Sequence, residues 1–103
     1  MASTIRVRAI AGAETTEVQV LIQHPMDSGF VKDAKGDLVP PHHIETVQFE
    51  AGGKTVLTAL WGPAVSKDPF VKFSFKGAEK GDDLKITWVD NMGATDSTTA
   101  KIQ

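Results

Sequence analysis

The residues whose types and spacing come nearest to chemistry are histidines and a methionine. His24-Pro25-Met26 stands at one end of a long connecting stretch, and Pro40-Pro41-His42-His43 stands at the other. Imidazole and thioether groups suit copper. If the two ends of the stretch meet, His24, Met26 and His42 could face one ion. The spacing matches no specific metal motif. Adjacent residues of a strand also point to opposite faces, so His42 and His43 do not ligate one ion together. Polar strand-end residues are the simpler reading, and no metal or cofactor is expected. The serines (Ser3, Ser28, Ser66, Ser74, Ser97) lie in no Gly-x-Ser-x-Gly elbow. The carboxylates Asp27, Asp33, Asp37, Asp82, Asp83, Asp90 and Asp96 fall mostly in turns, where such side chains support the backbone. No phosphate-binding loop occurs. No cysteine occurs either, which excludes disulfides, thiolate metal sites, a thiol nucleophile and any thioester or persulfide on this chain. No catalytic residue is expected, and the chain reads as a binding protein rather than an enzyme.

These groups must be positioned by strands. The dominant periodicity is two, the mark of half-buried strands. Ile5, Val7 and Ala9 alternate with Arg6 and Arg8. Val18, Val20 and Ile22 alternate with Glu17, Gln19 and Gln23. Val47, Phe49 and Ala51 alternate with Thr46, Gln48 and Glu50. Leu57, Ala59 and Trp61 share a face. Val71, Phe73 and Phe75, then Leu84, Ile86 and Trp88, then Thr98, Ala100 and Ile102, repeat the pattern. No segment sustains a helical period for three turns. Gly52-Gly53 signals a two-residue hairpin, while Gly77 to Gly81 and Asp90-Asn91-Met92-Gly93 read as tight turns. About seven strands in 103 residues predict an all-β, antiparallel immunoglobulin-like β-sandwich, one domain over residues 1–103. A hydrophobic content of 41% and a charged content of 23% are those of a folded domain with a core. The net charge of −2, with bases scattered along the chain, argues against nucleic acid. No apolar run reaches the roughly 18 residues of a membrane helix, so no membrane contact is expected. The start has no basic region followed by an apolar stretch, so no signal peptide of its own is expected.

Two connections stand out. The stretch between Pro25 and Pro40 carries Phe30, Val31, Leu38 and Val39, and long loops in small domains are often functional. It either packs over the open end of the sandwich or is covered by a partner. The segment from Trp61 to Phe70 is apolar and held between Pro63 and Pro69. A rigid loop loses little entropy on docking. Its apolar residues either cap the core or make a contact surface. Leu21 interrupts the polar face of its strand. The candidate partner interface is therefore Leu21, Trp61, Pro63, Ala64, Val65 and Phe70, and without a partner the same surface could support a homodimer.

Several ordered segments carry a resemblance. They are Ile5 to Ala9, Val20 to Met26, Phe30 to Pro41, Trp61-Gly62-Pro63-Ala64-Val65-Ser66-Lys67, Phe73 to Gly77, and Thr87 to Asn91. With them the chain resembles the SoxZ family, the cysteine-free subunits of SoxYZ carrier complexes in bacterial thiosulfate oxidation. The resemblance covers nearly the whole chain. It implies a heterodimer with a SoxY-type subunit, whose cysteine on a flexible arm carries sulfur intermediates between Sox enzymes. It further implies transient contacts with those enzymes, and a periplasmic location reached by export together with the partner. A periplasmic copper-binding sandwich using the His and Met ligands is the alternative.

Overall fold

Alternating apolar residues build seven strands among the described residues: β1 (Ile5–Ala11), β2 (Thr16–Ile22), β3 (Ile44–Ala51), β4 (Lys54–Leu60), β5 (Phe70–Phe75), β6 (Asp83–Asp90) and β7 (Thr95–Lys101). The computed structural model describes residues 4–30, 32–62, 65 and 67–103, and no helix occurs among them. The strands form a three-stranded sheet, order β1-β2-β5, and a four-stranded sheet, order β4-β3-β6-β7. Every pairing is antiparallel, so the expected sandwich is the observed one. The glycine pair between β3 and β4 makes the expected two-residue turn: Gly52 and Gly53 have φ of 59° and 82°, the conformation that such a hairpin requires at both positions.

The inward residues of both sheets make one core. Val18, Val20 and Ile22 of β2, Val47 and Phe49 of β3, and Leu84 and Ile86 of β6 are fully buried. Burying each such side chain contributes about 1.5–3 kcal/mol. Phe49 meets Phe73 edge-on across the sandwich, with ring centroids 4.8 Å apart. One flank is sewn shut. Ala11 N–H donates to Gln103 O at 2.7 Å, Gln103 N–H donates to Ala9 O at 2.9 Å, and Thr4 donates to Asp96 from both its N–H and its hydroxyl. At the other flank, β4 and β5 leave their inward residues Val56, Ala59, Val71, Phe73 and Phe75 only half-buried.

Register sets the outer faces. On the three-stranded sheet, Arg6 pairs with Leu21 and Leu21 with Phe70; Arg8 pairs with Gln19 and Gln19 with Lys72; Ile10 pairs with Glu17 and Glu17 with Ser74. On the four-stranded sheet the outward rows are mostly hydroxyls. One row runs Thr58, Gln48, Thr87, Ser97, and the next runs Leu60, Thr46, Val89, Thr95.

The molecule measures 53 × 25 × 18 Å. An eight-residue strand spans about 27 Å. Loops at the two ends therefore supply the rest of the long axis, and residues 27–42 form the longest connection. Its base is an antiparallel bridge, with Asp27 N–H to His42 O at 2.7 Å and His42 N–H to Asp27 O at 2.9 Å. Its tip is a turn built on Asp33, whose Oδ1 accepts the Lys35 and Asp37 N–H groups at 2.9 and 3.1 Å. Residues 32–38 are all exposed, Leu38 at 59%, so this part does not pack over the open end of the sandwich.

Candidate functional site

Asp90 ends β6, and its buried carboxylate collects four hydrogen bonds. His24 Nε2 and His42 Nε2 lie 3.0 and 2.8 Å from Oδ2. The Met92 and Ala94 N–H groups donate to Oδ1 at 3.0 and 2.9 Å, which shapes the turn into β7. The tautomer of His24 follows from its other nitrogen. Nδ1 accepts the Met26 N–H at 3.1 Å, so the ring proton sits on Nε2 and is donated to Asp90. An ionised carboxylate only accepts, so His42 donates as well. Burial pushes the Asp90 carboxyl up. Donation from His24 and His42, then from the Ala94 and Met92 N–H groups, outweighs burial and holds it below the usual carboxylate range. The two imidazoles meet edge-on at 4.6 Å, and His24 meets Trp88 at 5.2 Å.

This cluster ties distant loops to the sandwich. His24 and His42 are the two ends of the long connection, and both land on Asp90. Asp68 ties in the connection after β4: its Oδ1 accepts the His24 N–H at 3.0 Å, and its own N–H donates to His24 O at 3.0 Å. Gly29 closes against Pro41; a Cβ there would stand 2.8 Å from Pro41 Cγ, and its φ is +89°.

The ligand atoms of His24, His42 and Asp90 lie within 4.8 Å of one another. Metal on His24 Nε2 would require the ring proton on Nδ1, facing the Met26 N–H, so two donors would oppose each other. The cluster is therefore better suited to hydrogen bonding than to an ion. Of the copper set suggested by the sequence, His24 and His42 come together. The Met26 thioether is instead engaged by the Ile44 N–H at 3.3 Å. The third member of the cluster is Asp90, which the sequence places only in a turn; no local signal links it to His24.

The interface candidates separate into two groups. Leu21, half-buried, and Phe70, 60% exposed, are direct cross-strand partners on the outer face of the three-stranded sheet. Trp61 and Val65 are half-buried and pack against the core, so they cap it. The Trp61 N–H donates to Glu45 O at 2.9 Å. Pro63 and Ala64 lie outside the described residues. Sequence reasoning passed over Arg6, which completes the Leu21–Phe70 row. Its alternation with Ile5 and Val7 was the available signal.

The family model for sulphur oxidation protein SoxZ matches residues 5–101. The chain belongs to the SoxZ family. The match takes in all seven strands of this SoxZ domain, the Asp90 cluster and both connections. No curated protein sequence matches the chain significantly. Among solved structures, it is similar to a hypothetical protein from Pyrococcus horikoshii, with 18% identity and a TM-score of 0.66 over 97% of this chain and 88% of that one. It is also similar to the superoxide reductase (neelaredoxin) from Ignicoccus hospitalis, with 18% identity and a TM-score of 0.62 over 98% of this chain and 79% of that one. At such identity the likeness shows a shared fold. As a SoxZ member, the chain is a protein of the sulphur-oxidation system.

Proposed function

We propose that this SoxZ chain is the non-catalytic scaffold subunit of a sulfur-carrier heterodimer in thiosulfate oxidation. Its partner is a SoxY-type subunit that bears the carrier cysteine on a flexible arm. The carrying observation is the SoxZ match over residues 5–101 in a chain with no cysteine. A covalent sulfur carrier needs a thiolate, and this chain offers none, so the carrier atom belongs to the other subunit. This chain supplies a rigid surface for it. Other Sox enzymes visit the complex transiently. The complex works in the periplasm, and this subunit is exported with its partner. The contact region is centred on Leu21 and Phe70, with Pro63 and Ala64, which lie outside the described residues, proposed as members of it from the sequence, while Trp61 and Val65 support it from the core side.

Co-expression with a cysteine-armed SoxY-type subunit tests this reading. Light scattering is expected to give the mass of a one-to-one complex. After incubation with thiosulfate and the oxidising Sox enzymes, intact-mass spectrometry should find an adduct on the partner and none on this chain. Two separately eluting species, or sulfur added to this chain, would overturn the scaffold role.

A further inference from the structure

The chain has only two arginines, Arg6 and Arg8, and both are exposed on β1. Two residues apart on a strand, they point the same way, about 7 Å from each other. Register places them beside Leu21 and Phe70 in one row and beside Gln19 and Lys72 in the next. The face thus holds three cations and one carboxylate, Glu17, and Lys72 Nζ already lies 3.5 Å from Glu17. Among the described residues neither arginine forms an ion pair; the lysine pairs are Lys72–Glu17 and Lys101–Asp83. A basic face on a chain of net charge −2 is a local concentration of positive charge. Arginine beside exposed aromatic and aliphatic side chains is the composition of an interface centre, and its planar fork fits carboxylates in pairs. The other outer face carries rows of threonine, and its cations Lys85 and Lys101 stand directly opposite the acids Glu50 and Asp83.

We propose that the outer face of the β1-β2-β5 sheet seats the carrier subunit, and that the surface meeting it carries carboxylates opposite Arg6 and Arg8 around an apolar contact with Leu21 and Phe70. This rests on the carrier-subunit reading above. A second copy of this chain fits the face poorly, because a two-fold contact would set three cations and one carboxylate against the same set of charges. Nucleic acid fits poorly too: three cations around Glu17 neutralise few phosphates.

The test uses the co-expressed full-length subunits. Affinity is measured for the wild type, for the double variant Arg6→Glu/Arg8→Glu, and for Lys85→Glu, whose side chain lies on the opposite outer face. Thermal unfolding checks that each variant is folded. The double variant is expected to bind at least about tenfold more weakly at low salt, and raising salt from about 0.05 to about 0.5 M should weaken the wild type more than the variant. Lys85→Glu should bind as the wild type does. If the wild type forms the complex and the double variant binds with equal affinity and equal salt dependence, the proposed seat is wrong while the carrier-subunit reading stands. An equal loss in Lys85→Glu would reduce the effect to net charge and also overturn it. If the wild type forms no complex, the carrier-subunit reading itself fails.

Discussion

Leu21 of β2 and Phe70 of β5 stand directly opposite each other and face away from the core, with Arg6 completing their row. Cross-strand pairs of this kind are worth about 0.2–1 kcal/mol. Phe70 nonetheless remains 60% exposed, so the pair does little for the isolated fold. Leu21→Asp should leave the urea midpoint nearly unchanged and weaken binding to the proposed carrier subunit more than about tenfold. Val65→Asp should behave in the opposite way. Val65 packs against the core, so a carboxylate there should cost about 1–3 kcal/mol of stability. Equal stability losses in the two variants would contradict this division of roles.

Asp90→Asn tests the cluster. The amide can still accept the Met92 and Ala94 N–H groups through its oxygen, which leaves its NH2 facing the two imidazoles. His42 can change tautomer to accept; His24 cannot without losing the Met26 N–H. A loss of about 1–3 kcal/mol is expected from urea unfolding. A loss below about 0.5 kcal/mol would mean that the four hydrogen bonds do not hold the loops.

Acid should reproduce that loss. The Asp90 carboxyl is depressed in the folded protein, so its contribution is fully present above the unfolded carboxylate value of about 3.9. It is lost as pH falls through the lower folded value. The stability gap between wild type and Asp90→Asn should therefore be constant above about pH 5 and shrink below about pH 4. A gap that widened on acidification would reverse the sign of the argument.

Nitrogen-15 chemical shifts can read the His24 tautomer directly. The proton is expected on Nε2 at neutral pH. Adding Zn2+ or Cu2+ should leave that signal in place, with no stoichiometric site that His24→Ala removes. A tight one-to-one site lost in that variant would instead establish His24 as a metal ligand.

Glycine substitutions separate backbone strain from contact. Gly29 and Gly36 share positive φ, +89° and +84°, but only Gly29 has a neighbour, Pro41 Cγ, within 4 Å of an added Cβ. Gly36→Ala should cost about 1 kcal/mol and Gly29→Ala about 1 kcal/mol more, measured by thermal unfolding. Equal costs would mean that the Gly29–Pro41 approach is loose.

The sequence alone determined the seven strands, the side chains that point inward and the glycine hairpin between β3 and β4. Each of these is written locally: side chains alternate along an extended backbone, and only glycine takes positive φ freely. The lack of cysteine was equally legible, and it already barred this chain from carrying sulfur. Tertiary structure alone decided which strands are neighbours and in what register. That choice set Phe70 against Leu21 and Arg6, and turned Trp61 and Val65 toward the core. It also brought Asp90 to His24 and His42 from the far end of the chain. Such meetings depend on how two sheets bury their inner faces together, a long-range balance that no short window of residues contains.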